Sequence, residues 1–409
     1  MSNNLEGVHP GSICLKKTMK EFLTKTSTPV YLPMFTDLYF PELFTDQYIL
    51  IYSGYYSGLT NKKSILNCDI PKLAEYIKSK YIPGTKIIFD NLHEGGVDIV
   101  VDQIHQVVKL LDISPTEYYY LTGALNASEI YEAMCIRLDE SVRINIGVAS
   151  VWDNAIKSSP IIGTPEYSIK QKSKIAVCFN RVTRLHRLVL TCMLINADLI
   201  DKFYYSFFLN YSHGTSNWLY ENMIAGYKYD LDNADWFDNI VSICDANKSM
   251  FPLRLNIDST YNKNFLDNDD VKYFEDSYLS LVTETFFFDC SRPNQRIRNE
   301  DTIFLSEKTF KPIAMKHPFI IASRPKTLEY IRKMGYKTFS PLIDELYDLV
   351  DDDYARIKMI VEEFKRLSQN TPEQWIEWQK NVKEIVEHNY NIFINTKTTD
   401  NTEIYYATN

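Results

Sequence analysis

Short apolar runs and segments of helical period alternate along this chain, and the alternation is run through twice. Tyr48–Ser53 (YILIYS) reads as a buried strand, and Pro71–Lys80 as an amphipathic helix with proline in its first turn. Thr85–Phe89 reads as a strand, Val97–Leu111 as a helix, Glu117–Thr122 as a strand, Ala127–Met134 as a helix and Arg143–Val148 as a strand. Strands separated by helices cannot be joined by tight hairpins. They pair in parallel through crossovers, so the pattern specifies an α/β domain with a parallel sheet.

Between Val151 and Lys174 the period weakens, and Pro160, Gly163, Pro165 and the run KQKSK mark a linker or exposed crossing. The alternation then restarts. Lys174–Phe179 is a strand, Asn180–Arg187 a basic loop, Leu188–Ala197 a helix and Phe203–Leu209 a strand. Residues 210–275 have no clear period. Ser277–Phe288 (SYLSLVTETFFF) reads as one long strand, and Ser291–Asp301 as a polar, Arg-rich loop. A helix start at Glu307-Lys308, a strand over Pro318–Ala322, and a helix opened by Pro325 and closed by Gly335 follow. Tyr354–Leu367 and Pro372–Asn389 are helices, and the polar tail after Thr396 is expected to fray.

The 409 residues suffice for two domains, each with its own core. The expected organisation is an N-terminal α/β domain over 1–170 and a second α/β domain over 171–370. A C-terminal helix over 371–395, free to cross back to the first domain, and a tail over 396–409 complete it. The expected fold class is α/β, with two Rossmann-like domains whose parallel sheets face a cleft, and a helical C-terminus. The formal charge of −9 argues against a dominant nucleic-acid surface, while a local basic groove remains open. Seven cysteines, an odd number with no CxxC pair, are expected as reduced, buried thiols of a cytoplasmic chain. The N-terminal segment lacks a signal-peptide core, and no apolar run reaches the ~18–20 residues a membrane helix needs. Oligomeric state is not readable.

Three constellations could carry chemistry. At Ser306-Glu307-Lys308, Ser306 can cap a helix whose free amides, dipole and Lys308 favour an anion, and Glu307 could accept from sugar hydroxyls. The ordinary alternative is a capped helix with a solvated ion pair. Pro312 implies a kink or a later helix start. Asn180, Arg181, Arg184, His186 and Arg187 follow a strand and precede a helix, the place where ligands gather on open α/β sheets. Arginine forks match phosphate, whereas a solvated basic turn is the plainer reading. Asp90–Gly96 (DNLHEGG) offers Glu94 as a general base assisted by His93, or simply a loop with a capping Asp. The runs at Asp267–Asp270, Asp351–Asp353 and Asp230–Asp232 are read as solvated loops or a helix start, and no metal site is assigned.

The stretch SEKTFKPIAMKHPFII…TLEYIRKMGYKTF…IDELYD resembles glycosyltransferase-like proteins of phage, giant-virus and marine bacterial genomes. These in turn resemble, distantly, the family 10 fucosyltransferases, whose donor domain carries a TEK segment at a helix start. The resemblance is specific over 305–348, extends over 174–350 and is weak over 1–170. It implies a GT-B architecture with 1–170 on the acceptor side and 171–370 binding the nucleotide sugar, metal independence and no cofactor beyond that donor, with a GDP-sugar favoured and a UDP-sugar open. It implies that Glu307 contacts ribose and Lys308 the diphosphate. Arg187 is the best match to the family's phosphate-binding arginine, with Arg184 and Arg181 beside it. Glu94 stands where the family has its base, although Gly95-Gly96 replaces the family's Ser-Pro.

The expected function is that of an inverting glycosyltransferase acting on a glycan hydroxyl. Two rivals fit the same residues: transfer to a modified base of viral DNA, and a non-catalytic glycan- or partner-binding protein.

Overall fold

The computed structural model describes residues 36–44, 47–52, 69–93, 95–157, 165–180, 183–209, 211–213, 216–218, 235–255, 266, 268–288, 302–397, 400 and 402–407. They fall into two units. Unit 1 holds the described residues up to Trp152, the segment 302–304 and the tail from Lys397; unit 2 holds Asp153 to 288 and Leu305–Thr396. The division lies inside the short helix Trp152–Lys157, ahead of residue 170.

In unit 1, strands β1 (Tyr48–Tyr52), β2 (Lys86–Asn91), β3 (Tyr118–Thr122) and β4 (Asn145–Ala149) pair in parallel in chain order. Helices α1 (Ile70–Lys80), α2 (Asp98–Leu110) and α3 (Ala127–Arg137) connect them. Ile49 and Ile51, Ile87 and Phe89, Tyr118 and Tyr120, and Ile146 and Val148 alternate along their strands, so all eight point to one face. The same core takes Leu73 and Ile77 of α1, Val101 and Ile104 of α2, and Met134 of α3. Each fully buried side chain of this kind contributes about 1.5–3 kcal/mol. Gly147 allows Phe40 to approach β4: a Cβ there would meet the Leu121 side chain at 2.4 Å and the Phe40 ring at 3.2 Å.

Unit 2 is built on β5 (Lys174–Phe179), β6 (Phe203–Ser206), β9 (Ser277–Thr283) and β10 (Phe319–Ala322), in the order β10-β9-β5-β6 and all parallel. A small antiparallel pair, β7 (Tyr211–His213) and β8 (Ser216–Trp218), stands apart. The chain leaves β5 on one side to form β6 and on the other to form β9. That reversal makes the β5/β9 boundary a topological switch point. Helices α4 (Leu185–Asn196), α5 (Glu307–Ala314), α6 (Thr327–Lys333), α7 (Asp353–Leu367) and α8 (Pro372–Asn395) also belong to this unit.

Three elements differ from the sequence reading. The strand expected over Ser277–Phe288 ends at Thr283. Beyond it Glu284 turns inward, and Phe287 packs under the Arg356 guanidinium, 4.3 Å from its ring centroid. An aromatic run here serves packing rather than pairing. Helix α4 begins at Leu185, so His186 and Arg187 lie on its first turn and not in a loop. The tail does not fray throughout: Thr402–Tyr405 forms β11, antiparallel to β4, and the Asn145 carboxamide oxygen accepts from the Ala407 amide at 2.8 Å. The unpaired backbone groups along β4 are what this strand satisfies. The tail, rather than α8, carries the chain back to unit 1. Helix α8 packs on α5 through Phe393 and Phe310, whose ring centroids lie 6.5 Å apart.

Candidate functional site

Ser306 has extended backbone and caps α5, its Oγ accepting from the Lys308 amide at 3.4 Å. The carboxylate of Glu284, fully buried, lies beneath this helix start. Oε1 accepts from the Ser306 amide at 2.9 Å and the Thr309 hydroxyl at 2.6 Å, while Oε2 accepts from the Ser306 hydroxyl at 2.6 Å. Because Ser306 spends its hydrogen on Glu284, its lone pairs are left for Lys308, whose Nζ donates to Oγ at 2.9 Å. The same ammonium donates to Glu307 Oε1 at 3.0 Å. A relay from carboxylate to hydroxyl to ammonium thus fixes Lys308. Pro312 sits inside α5 and supplies no N–H, yet the helix runs on to Ala314. Sequence reasoning missed Glu284. Its one signal was a lone acid in the apolar stretch VTETFFF.

The other half of the site follows β5. Asn180 is buried, its Oδ1 accepts from the Thr283 hydroxyl, and its Nδ2 donates to Cys178 Sγ at 3.1 Å. Its side chain therefore ties β5 to β9 at their carboxyl ends. Arg184 stands at the N-cap position of α4. Arg187, buried on the first turn, donates from Nη2 to the Thr283 carbonyl at 3.1 Å. Strand ends and helix starts meet at the switch point, where backbone amides and dipoles favour a negative ligand.

The electrostatics bind these residues into one group. Burial, then the neighbouring Arg184, lowers the Arg187 guanidinium to about 10, while Glu307 and Glu284 act in the opposite direction. Burial acts to raise the Glu307 carboxyl, but the charges of Lys308 and Lys311 and the Lys308 hydrogen bond bring it down to about 2. Glu307 is therefore an anion at neutral pH, able to accept but not to donate. His186 feels Arg187, Arg184 and Lys308. The four cations Arg184, Arg187, Lys308 and Lys311 outnumber the carboxylates Glu284 and Glu307, so the group is cationic before the two helix ends are added. The group can hold a polyanion, with a fixed carboxylate beside it to accept from hydroxyls.

The structure thus brings together Asn180, Arg184, Arg187, Ser306, Glu307 and Lys308. Arg181 and Glu94 lie outside the described residues. His93, in unit 1, sets its ring edge-on to Trp152 with centroids 5.4 Å apart, and burial lowers its imidazole to about 4. Of the Asp runs, Asp352 caps α7, accepting from the Ala355 amide at 2.6 Å. Among the described residues no helix is long and apolar enough to cross a membrane.

Fold and site together define a two-unit α/β protein whose second unit carries a cationic site at the switch point of its sheet. No family model and no curated protein matches the chain. Among solved structures it is similar to a glycosyltransferase from Rickettsia africae ESF-5, at 13% identity and a TM-score of 0.34, covering 84% of this chain and 80% of that one. It is also similar to the N-terminal domain of Candida albicans trehalose-6-phosphate phosphatase, at 8% identity and a TM-score of 0.32, covering 80% and 72%.

Proposed function

We propose that this protein is a nucleotide-sugar-dependent glycosyltransferase and that unit 2 binds the donor. The observation that supports this is the convergence of Lys308, Arg184 and Arg187 with the Glu307 carboxylate where β5 and β9 end and α4 and α5 begin. A diphosphate takes the cations and the helix ends, and Glu307 accepts from the ribose.

The reaction is transfer with inversion. The acceptor hydroxyl oxygen attacks the anomeric carbon as the bond to the diphosphate lengthens, and that bond's electron pair leaves with the diphosphate oxygen. Lys308 and Arg187 stabilise the charge growing there, as preorganised donors do. The acceptor proton passes to a base, for which Glu94 is the candidate, and His93, neutral at pH 7, could accept but not supply a proton. A GDP-sugar is the favoured donor, a UDP-sugar the other, and a glycan hydroxyl the acceptor. The cationic side chains take on the neutralisation of the diphosphate, so turnover should survive EDTA unchanged.

A thermal-shift screen with GDP, UDP and their sugar conjugates tests the reading. Ligand at a hundredfold excess over Kd stabilises by about 2.7 kcal/mol, visible as a rise in Tm. A Tm unmoved by every nucleoside diphosphate and nucleotide sugar would overturn it.

A further inference from the structure

His186 is buried on the first turn of α4, next to Arg187, with its ring stacked on Phe287 at 5.4 Å and 14°. It bonds the backbone of Glu284. Its Nε2 has no hydrogen-bond partner among the described residues, so the bond to Glu284 is made by Nδ1. A carbonyl accepts, so Nδ1 carries the hydrogen. Burial first, then the charges of Arg187 and Arg184, holds the imidazole well below its ordinary value, and the ring is neutral. Nε2 is then a bare acceptor, fixed in place by the stack on one side and the Glu284 bond on the other. The ring feels the charges of Arg187, Arg184 and Lys308, the groups taken for the diphosphate. A buried acceptor left unmade is costly, and in a native fold it calls for an occupant. An ionised phosphate has no hydrogen to give it. A hydroxyl does.

We propose that His186 Nε2 accepts a hydrogen bond from a hydroxyl of the bound nucleotide sugar, on the ribose or on the transferred sugar, and so selects for that hydroxyl. The inference rests on the donor-site reading. His186 donates no proton to the reaction. It reads a polar group of the ligand, and a ligand lacking that group leaves Nε2 unsatisfied.

The test is a set of binding cycles by titration calorimetry, on the full chain, with two variants. His186→Phe keeps the ring against Phe287, and His186→Asn keeps a donor in the place of Nδ1; both remove Nε2. The ligands are GDP or UDP, whichever binds the wild type, its 2′-deoxy and 3′-deoxy forms, and its sugar conjugate. If the ribose is read, both variants weaken the parent diphosphate about tenfold, the size of one lost hydrogen bond, and leave one deoxy form unchanged. If the sugar is read, they weaken the conjugate about tenfold and leave the plain diphosphate unchanged. Equal weakening of every ligand, or none, overturns the proposal, since a structural role or a bound water would not distinguish hydroxyls. A wild type that binds none of them overturns the donor-site reading, and this inference with it.

Discussion

Lys308 is held between two oxygens, and a diphosphate would add a third partner of higher charge. Lys308→Ala should weaken nucleoside diphosphate binding by ~10–100-fold, the range for losing a charged hydrogen bond, and lower turnover with it; calorimetry and product release read both. Glu284→Gln brings an amide NH2 to a place where the Ser306 amide, Ser306 hydroxyl and Thr309 hydroxyl all donate. The NH2 would face the Ser306 amide at the Oε1 position or the Thr285 amide, which donates at 3.3 Å, at the Oε2 position, and the variant should lose about 1–3 kcal/mol in urea unfolding, with looser nucleotide binding through the freed Ser306. The contrast between these two residues shows what a sequence displays. Glu307 and Lys308 stood out because a charged pair at a capped helix start can hold an anion, although a solvated ion pair has the same pattern. Glu284 did not, because it continues an alternating strand pattern, and only the turn after Thr283 sends its carboxylate under another segment more than twenty residues on.

At the scale of elements, the alternation of apolar runs and helical periods gave the parallel strands well. It failed at ends. The apolar period of α4 includes Leu185, Leu188, Val189 and Cys192, all buried, but the charged residues between them read as a loop. Those residues, His186 and Arg187, are both buried on that turn, and their polarity hid the helix start. The capping box of α8, Thr371 with Gln374, lies in another element, and Thr371→Ala should cost about 1 kcal/mol while nucleotide affinity stays at the wild-type value. Asp348, whose Oδ2 accepts from the Leu328 amide at 3.0 Å near the start of α6, has its carboxyl raised to about 7 by burial, against that hydrogen bond and Arg332. A carboxyl raised in the folded state binds its proton more tightly there than in the unfolded chain. The stability it brings is present below its ordinary value of 3.8 and is lost as pH rises through about 7. Asp348→Asn keeps an acceptor and removes the titration, so its Tm should fall less than the wild type's between pH 5 and pH 8, by about the same protocol of scanning calorimetry.

At the scale of the molecule, two α/β series announced two units; the residues proposed for the donor fall in the second, and His93 in the first. What the sequence hid was the discontinuity of unit 1. Polar residues around Ile404 gave no strand signal, because an edge strand is half exposed and needs little apolar character. Deleting 397–409 should bare the edge of β4, lower the unfolding temperature of unit 1 and raise light scattering. Nucleotide binding by unit 2 should stay within about twofold, since no new contact to the ligand is lost.

The position of β11 also sets an order of events. Its partner β4 leaves the ribosome early, and the whole of unit 2 is translated before Thr402 appears. At ~5–20 residues per second that interval lasts on the order of tens of seconds. Throughout it the nascent chain carries an open strand edge, which a chaperone, a neighbouring nascent chain on the same message, or a stalled ribosome would encounter before β11 does.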